Sequence, residues 1–167
     1  MKLATILFAW AIMLYPIAAC DDDDSKTETV QLELEFSSFL KGANPDEGCG
    51  TPPVFLVIQE GNGTGTLLEG FSFYAEFCNN LETGEYGPAK VCTFTASNGD
   101  ELYCNVEGQV LPTNNPAYDL EFKDPFTITG GTGRFKGATG SGTTSSYVKL
   151  ADERTDHVWT GSITLLK

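Results

Sequence analysis

Apolar and polar residues alternate along most of this chain with a period of two. In residues 30–36, for example, Leu32, Leu34 and Phe36 alternate with polar side chains. Such alternation is typical of a strand with one buried face. Similar segments recur every 8–12 residues or so, separated by turns rich in Gly, Asn and Pro. The predicted strands are residues 30–36, 54–58, 71–77, 91–96, 102–111, 118–122, 126–129, 143–150 and 157–166.

The fold class follows from this spacing, because no segment keeps the 3.6-residue period of an amphipathic helix. The glycine-rich residues 61–65 and the Asn98-Gly99 pair predict hairpin turns between neighbouring strands. We therefore predict an all-β fold, a single small antiparallel β-barrel of about eight strands over residues 30–167, because closure removes exposed strand edges. The interior of so small a barrel is either filled by side chains or holds one small ligand.

The amino-terminal segment, residues 1–19, has the pattern of a signal peptide. A basic start is followed by an apolar run over residues 3–17, which is too short for a spanning helix. Ala18 and Ala19 then precede Cys20, which resembles the lipobox of bacterial lipoproteins. The resemblance implies cleavage before Cys20 and acylation of that residue. Diacyl anchoring is stable, so we expect the lipid bilayer to be a partner of this chain.

Residues 20–29 form a predicted acidic tether. Four consecutive aspartates, residues 21–24, repel one another and stay solvated. An acidic cluster directly after a lipidated cysteine resembles the export signal of surface lipoproteins in the Bacteroidetes. This resemblance implies anchoring in the outer membrane with the protein displayed at the cell surface. The periplasmic face of that membrane is the alternative location.

The composition excludes two classes of protein. With 23 acidic and 10 basic residues the formal charge is −13, whereas binding of nucleic acid requires a surface of Lys and Arg. The 41% of hydrophobic residues is enough for a packed core, so the chain is not a disordered acidic segment.

Two strings, NGDELY at residues 98–103 and GGTGRFKGATGSG at residues 130–142, are the most distinctive part of the sequence. The second has no Gly-Lys-Ser/Thr and no following helix, which favours a backbone turn over a phosphate loop. In order and spacing, over roughly residues 54–145, the strings resemble the allene-oxide-cyclase-like barrel proteins, to which plant dirigent proteins look more distantly related. The resemblance implies an eight-stranded barrel with a central cavity. It matches no catalytic residue of the plant cyclases.

Four cysteines remain once Cys20 is assigned to lipidation. An even number outside the cytoplasm indicates disulfides. Strand parity favours a bridge between Cys92 and Cys104, which leaves Cys49 to pair with Cys78. Four reduced, buried thiols are the alternative.

The sequence offers few residues for catalysis, and it predicts neither a metal site nor a cofactor. His157 is the single histidine, and without a second one we expect it at the surface. Glu69 shares strand parity with several phenylalanines, so an inward carboxylate there would have a raised pKa and act as an acid or base. Its position near a turn favours a solvated rim instead. The candidates for lining a cavity are Phe71, Phe73, Phe77, Tyr103 and Tyr147.

Two functions are consistent with these features. The first is a non-enzymatic lipoprotein whose barrel is an interaction module or binds a small apolar ligand. The second is a cyclase or isomerase that acts on a small apolar substrate in the barrel cavity. The missing catalytic constellation favours the first.

Overall fold

A computed structural model describes residues 26–51 and 53–167. The predicted signal peptide, Cys20 and the four aspartates lie outside the described residues. The strands of the described part are β1 (Thr27–Asn44), β2 (Val54–Gly65), β3 (Glu69–Asn80), β4 (Glu85–Ala96), β5 (Glu101–Val106), β6 (Gly108–Gln109), β7 (Leu111–Pro112), β8 (Leu120–Phe122), β9 (Pro125–Gly131), β10 (Thr139–Lys149) and β11 (Arg154–Leu166). Two short 3₁₀ turns, Gly133–Phe135 and Leu150–Asp152, precede β10 and β11.

Eight of these strands close into an antiparallel barrel, which confirms the predicted fold class. Their order around the barrel is β1-β2-β3-β4-β5-β9-β10-β11, and β11 pairs back onto β1 over thirteen residue pairs. The three short strands lie outside this path: β6 pairs with β4, and β8 links β10 to β7. The barrel wall therefore has no free edge along its long strands.

Aromatic rings fill the interior of the barrel. Phe36 on β1 has its ring centroid 4.8 Å from that of Phe73 and 5.4 Å from that of Phe94, which is fully buried. Trp159 on β11 stacks on Phe126 with a centroid separation of 5.0 Å. Burial of each such ring contributes roughly 1.5–3 kcal/mol, and edge-to-face contacts add to it. The aromatic cluster thus contributes substantially to the stability of the barrel.

The glycine-rich residues 61–65 differ from the sequence prediction. They do not turn but form the last part of β2, and the chain reverses between Gly65 and Glu69. The reason is steric, since a Cβ on Gly63 would overlap with the Cβ of Phe36 and with the backbone of Glu35. The glycines allow β2 to lie close against β1.

The predicted strand over residues 102–111 is also interrupted. β5 ends at Val106, and Gly108 turns away to pair with Tyr86 on β4. Gly108 lies so close to the Asp124 carboxylate that a side chain there would collide with it. Alternation of residue types carries no signal for such a close approach.

The disulfide between Cys49 and Cys78 is confirmed. It joins the segment between β1 and β2 to the end of β3, with the two Cα atoms 5.3 Å apart. The second predicted bridge is not formed. Cys92 and Cys104 lie beside each other on β4 and β5, as strand parity predicted, but both are buried free thiols. A hydrogen bond with Cys92, together with burial, raises the pKa of the Cys104 thiol. Protonated thiols in the core pack as small hydrophobic groups.

We predict one bridge and two protected thiols in the folded protein. Non-reducing mass mapping should find the Cys49–Cys78 bridge, and maleimide should label Cys92 and Cys104 only after unfolding. Replacing both Cys49 and Cys78 by Ser should lower the free energy of unfolding by about 3–4 kcal/mol in urea titrations, because the bridge closes a loop of 29 residues. Rapid native-state labelling of Cys104 would contradict this assignment.

Candidate functional site

His157 lies inside the barrel and not at the surface, contrary to the expectation from sequence. It is 3% exposed, and its position on β11 places it between Ser38 on β1 and Ser146 on β10. The Ser146 Oγ is 2.9 Å from Nδ1, and the Ser38 Oγ is 2.9 Å from Nε2. Ser38 in turn donates to the Oε1 of Gln59 at 3.0 Å. The sequence could not indicate that the imidazole is buried, because Ser38 and Ser146 do not belong to any recognisable motif.

The directions of these hydrogen bonds assign the tautomer of His157. The Ser38 hydroxyl has one hydrogen, which it donates to Gln59, so it accepts from Nε2–H. Nδ1 then accepts from the Ser146 hydroxyl. The imidazole also stacks on Phe36, at a centroid distance of 4.2 Å and an interplanar angle of 11°. Burial lowers the pKa of His157 to about 3, so the ring is neutral and has no free lone pair. It is a satisfied core residue, not a base open to substrate.

The other sequence candidates do not assemble into a lumenal site. Glu69 is exposed at the start of β3, which agrees with the solvated rim position expected from its place near a turn. The structure therefore does not bury its carboxylate inside the barrel as an acid or base. Phe71 and Phe73 are buried within the aromatic cluster and fill the interior instead of lining a cavity. Phe77 is half-buried and packs edge-on against Tyr86.

The two tyrosine candidates point outwards. Tyr103 lies on the outer face of β5, where its hydroxyl donates to Glu101, and Tyr147 lies on the outer face of β10. The prediction that they line a cavity is wrong because of strand parity. Their neighbours Cys104 and Ser146 take the inward positions, so the tyrosines face outwards. Each tyrosine borders a groove on the outside of the barrel.

The larger outer groove has a volume of ≈ 660 Å³ and crosses four adjacent strands, β2, β1, β11 and β10. Its outward side chains form a row across the sheet. Ser37 is paired with Asn62 on one side and with Asp156 on the other, and Asp156 is paired with Tyr147. The residues that border it are Glu35, Phe36, Ser37, Asn62, Gly63, Thr64, Tyr118, Ser145, Tyr147, Asp156, His157 and Val158. We call this surface the outer groove.

The loop between β7 and β8 forms one wall of the outer groove. Its Tyr118 hydroxyl donates to Asp156 at 2.8 Å, and the two rings of Tyr118 and Tyr147 lie 5.2 Å apart. Asn115 orders the loop, because its side-chain oxygen accepts from the amide of Ala117 and its carbonyl accepts from the amide of Tyr118. The wall is thus held in place by hydrogen bonds within the loop and to β11.

Asp156 is the electrostatic centre of the outer groove. Partial burial would raise its pKa, but hydrogen bonds from Ser37 at 2.6 Å, from Tyr118 and from Arg154 at 2.9 Å outweigh this and lower the pKa. The bond with Asp156 correspondingly raises the pKa of Tyr118. Asp156 therefore stays ionised at neutral pH and holds strands β1 and β11 and the loop together.

A smaller groove of ≈ 470 Å³ lies on the outer face of β4 and β5, beside Tyr103, Lys90 and Asn105. Among the described residues, no group of three His, Cys, Asp or Glu side chains is placed to hold a metal ion. The described part of the chain also has no helix of the length and apolarity needed to span a membrane.

The fold is similar to that of solved pterocarpan synthase dirigent proteins. GePTS1 superposes with a TM-score of 0.61 at 14% sequence identity, covering 94% of this chain and all of that protein. PsPTS1 superposes with a TM-score of 0.51 at 13% identity, covering 84% of this chain and 95% of that protein. Neither a family model nor a curated protein sequence matches the chain. The likeness supports a dirigent-related barrel fold and shows nothing about activity.

We predict that His157 makes the protein less stable in mild acid. Its pKa is about 3 in the folded protein and 6.5 in the unfolded chain, so the unfolded state binds the proton first as the pH falls. The stability from the neutral imidazole is present above about pH 6.5 and declines towards pH 3, by roughly 2–3 kcal/mol between pH 7 and pH 4.5. His157→Gln should flatten this slope in urea titrations. The single histidine makes the imidazole NMR signal unambiguous, and titration near pH 6.5 in the folded protein would contradict the burial.

We predict that the Tyr118 hydroxyl holds the groove wall in place. Tyr118→Phe removes one hydrogen bond to Asp156 and should cost about 0.5–1.5 kcal/mol of unfolding free energy. It should also speed proteolysis within residues 113–119. Tyr147→Phe is the matched control, because its hydroxyl has no side-chain partner among the described residues. Equal effects of the two substitutions would contradict a specific role for Tyr118.

Proposed function

We propose that this protein is a lipid-anchored binding module displayed at the surface of a bacterial outer membrane, and that its barrel presents the outer groove to a ligand. The observation that carries the proposal is the contrast between the two faces of the barrel wall. The inner face is filled by packed rings, whereas the outer face has a groove of ≈ 660 Å³ with ordered polar side chains. Concave sites with a few fixed polar groups are the usual form of ligand sites.

The filled interior argues against the cyclase or isomerase alternative. A substrate in the lumen would have to displace rings such as Phe94 and Trp159, which are at most 2% exposed. Opening such a space costs several kcal/mol for each large side chain moved. His157, the buried imidazole of the interior, has both ring nitrogens engaged by serines. The same packing argues against a small apolar ligand held in the lumen.

The anchoring part of the proposal rests on the sequence of residues 1–24. An apolar run, two alanines and Cys20 stand in the order that lipoprotein processing requires, and four aspartates follow. Residues 21–26 then separate the lipid from the first strand at Thr27. A short acidic tether keeps the barrel close to the bilayer but solvated.

Cys20→Ala tests the anchor directly. We expect the variant to leave the membrane fraction and to lose incorporation of labelled palmitate, whereas the parent protein is retained and labelled. Cys92→Ala is the matched control, because it removes a buried cysteine of the barrel and should leave both readouts unchanged. Protease added to intact cells should digest the barrel if it is displayed at the surface. Acyl labelling of the Cys20→Ala variant would refute the lipid anchor.

A further inference from the structure

We propose that the outer groove binds neutral saccharide chains. This rests on the proposed function, in which the outer groove is the binding surface of the barrel, and adds the chemical class of the ligand. Three properties of the groove favour such a ligand: its net charge, its unused hydrogen-bonding groups and the shape of its floor.

The charge of the groove disfavours ionic ligands. Anions are repelled by Glu35 and Asp156, in a chain with a formal charge of −13. A polycation would need several free carboxylates, but Asp156 is already paired with Arg154 at 2.9 Å and bonded by two hydroxyls. Glu35 is then the one lining carboxylate without an ion pair among the described residues. A neutral polar ligand fits this balance best.

The groove also presents groups that both donate and accept hydrogen bonds. The hydroxyls of Thr64, Ser145 and Tyr147 and the amide of Asn62 border it, and none bonds to another side chain in the described part of the protein. Hydroxyls and amides combine a donor with an acceptor, and so does each hydroxyl of a sugar. Glu35 adds a strong acceptor beside them. This set matches a polyhydroxylated ligand better than a purely apolar or purely acceptor-bearing one.

The floor of the groove suits flat rings with an apolar face. Gly63, Ser37 and Ser145 are small, while Val158 remains 39% exposed and the Tyr147 ring stands at one side. The C–H face of a sugar ring packs on such surfaces while its hydroxyl groups reach the polar rim. The four strands span roughly 14 Å between the outer two, at about 4.8 Å per strand spacing. That length exceeds a single sugar ring, so the fitting ligand is a chain.

The test uses the full acylated chain in a polyoxyethylene ether detergent, which contains no sugar. Cellohexaose, xylohexaose, mannohexaose and maltohexaose are each titrated by calorimetry, with spermine and hexagalacturonate as cationic and anionic probes. We expect at least one neutral hexasaccharide to bind. Val158→Trp, which fills the floor, and Tyr147→Ala should each weaken that binding at least tenfold. Val91→Trp is the matched control, since Val91 is 37% exposed on the outer face of β4, away from the outer groove.

The possible results test the saccharide assignment separately from the role of the groove as a binding surface. Saccharide binding that is lost in Val158→Trp and kept in Val91→Trp supports the inference. If only spermine or hexagalacturonate binds, and Val158→Trp removes that binding, the saccharide assignment is overturned while the groove remains a binding surface. If no probe binds in a manner that depends on Val158, both the saccharide assignment and the groove as binding surface are overturned.

Discussion

The packing of aromatic rings inside a closed barrel is the constraint on which the rest of this structure depends. Four rings from four different strands contact one another: Phe36 on β1, Phe73 on β3, Phe94 on β4 and Trp159 on β11. Each ring therefore helps to fix the position of its strand. The interior is filled by buried side chains, as a protein core is. The grooves of the described residues accordingly lie on the outside of the wall.

The inner packing also determines the geometry of the outer groove. Residues alternate between the two faces of a strand, so Ser37 and Asp156 on the outside follow from Phe36 and His157 on the inside. Because the stacked pair of Phe36 and His157 cannot slip in register, the bond between Ser37 and Asp156 is held at 2.6 Å. The groove is thus preorganised by the core, and in the proposed binding role this would lower the entropy lost by the protein.

The sequence predicts the all-β barrel because alternation and turn residues are local signals. It also places Cys49 near Cys78 and Cys92 near Cys104, although it cannot tell a disulfide from two thiols. It fails where the decisive contacts are distant along the chain. The partners of His157 lie 119 and 11 residues away, and the groove combines residues from β2 to β11. The outward placement of Tyr103 and Tyr147 depends on register, which one residue of slip would reverse.

The buried histidine shows how a polar group is retained in an apolar core. A lone imidazole among phenylalanines would be costly, but here Ser38 and Ser146 satisfy both nitrogens, and Gln59 accepts the remaining hydroxyl proton. The chain of bonds joins β10, β11, β1 and β2, the same four strands that carry the outer groove. Because hydrogen bonds are directional, this polar network requires one register and adds to the alignment of these strands that the packed rings already favour. The buried network and the exposed groove therefore depend on the same alignment of these four strands, and the buried hydrogen bonds stabilise that alignment.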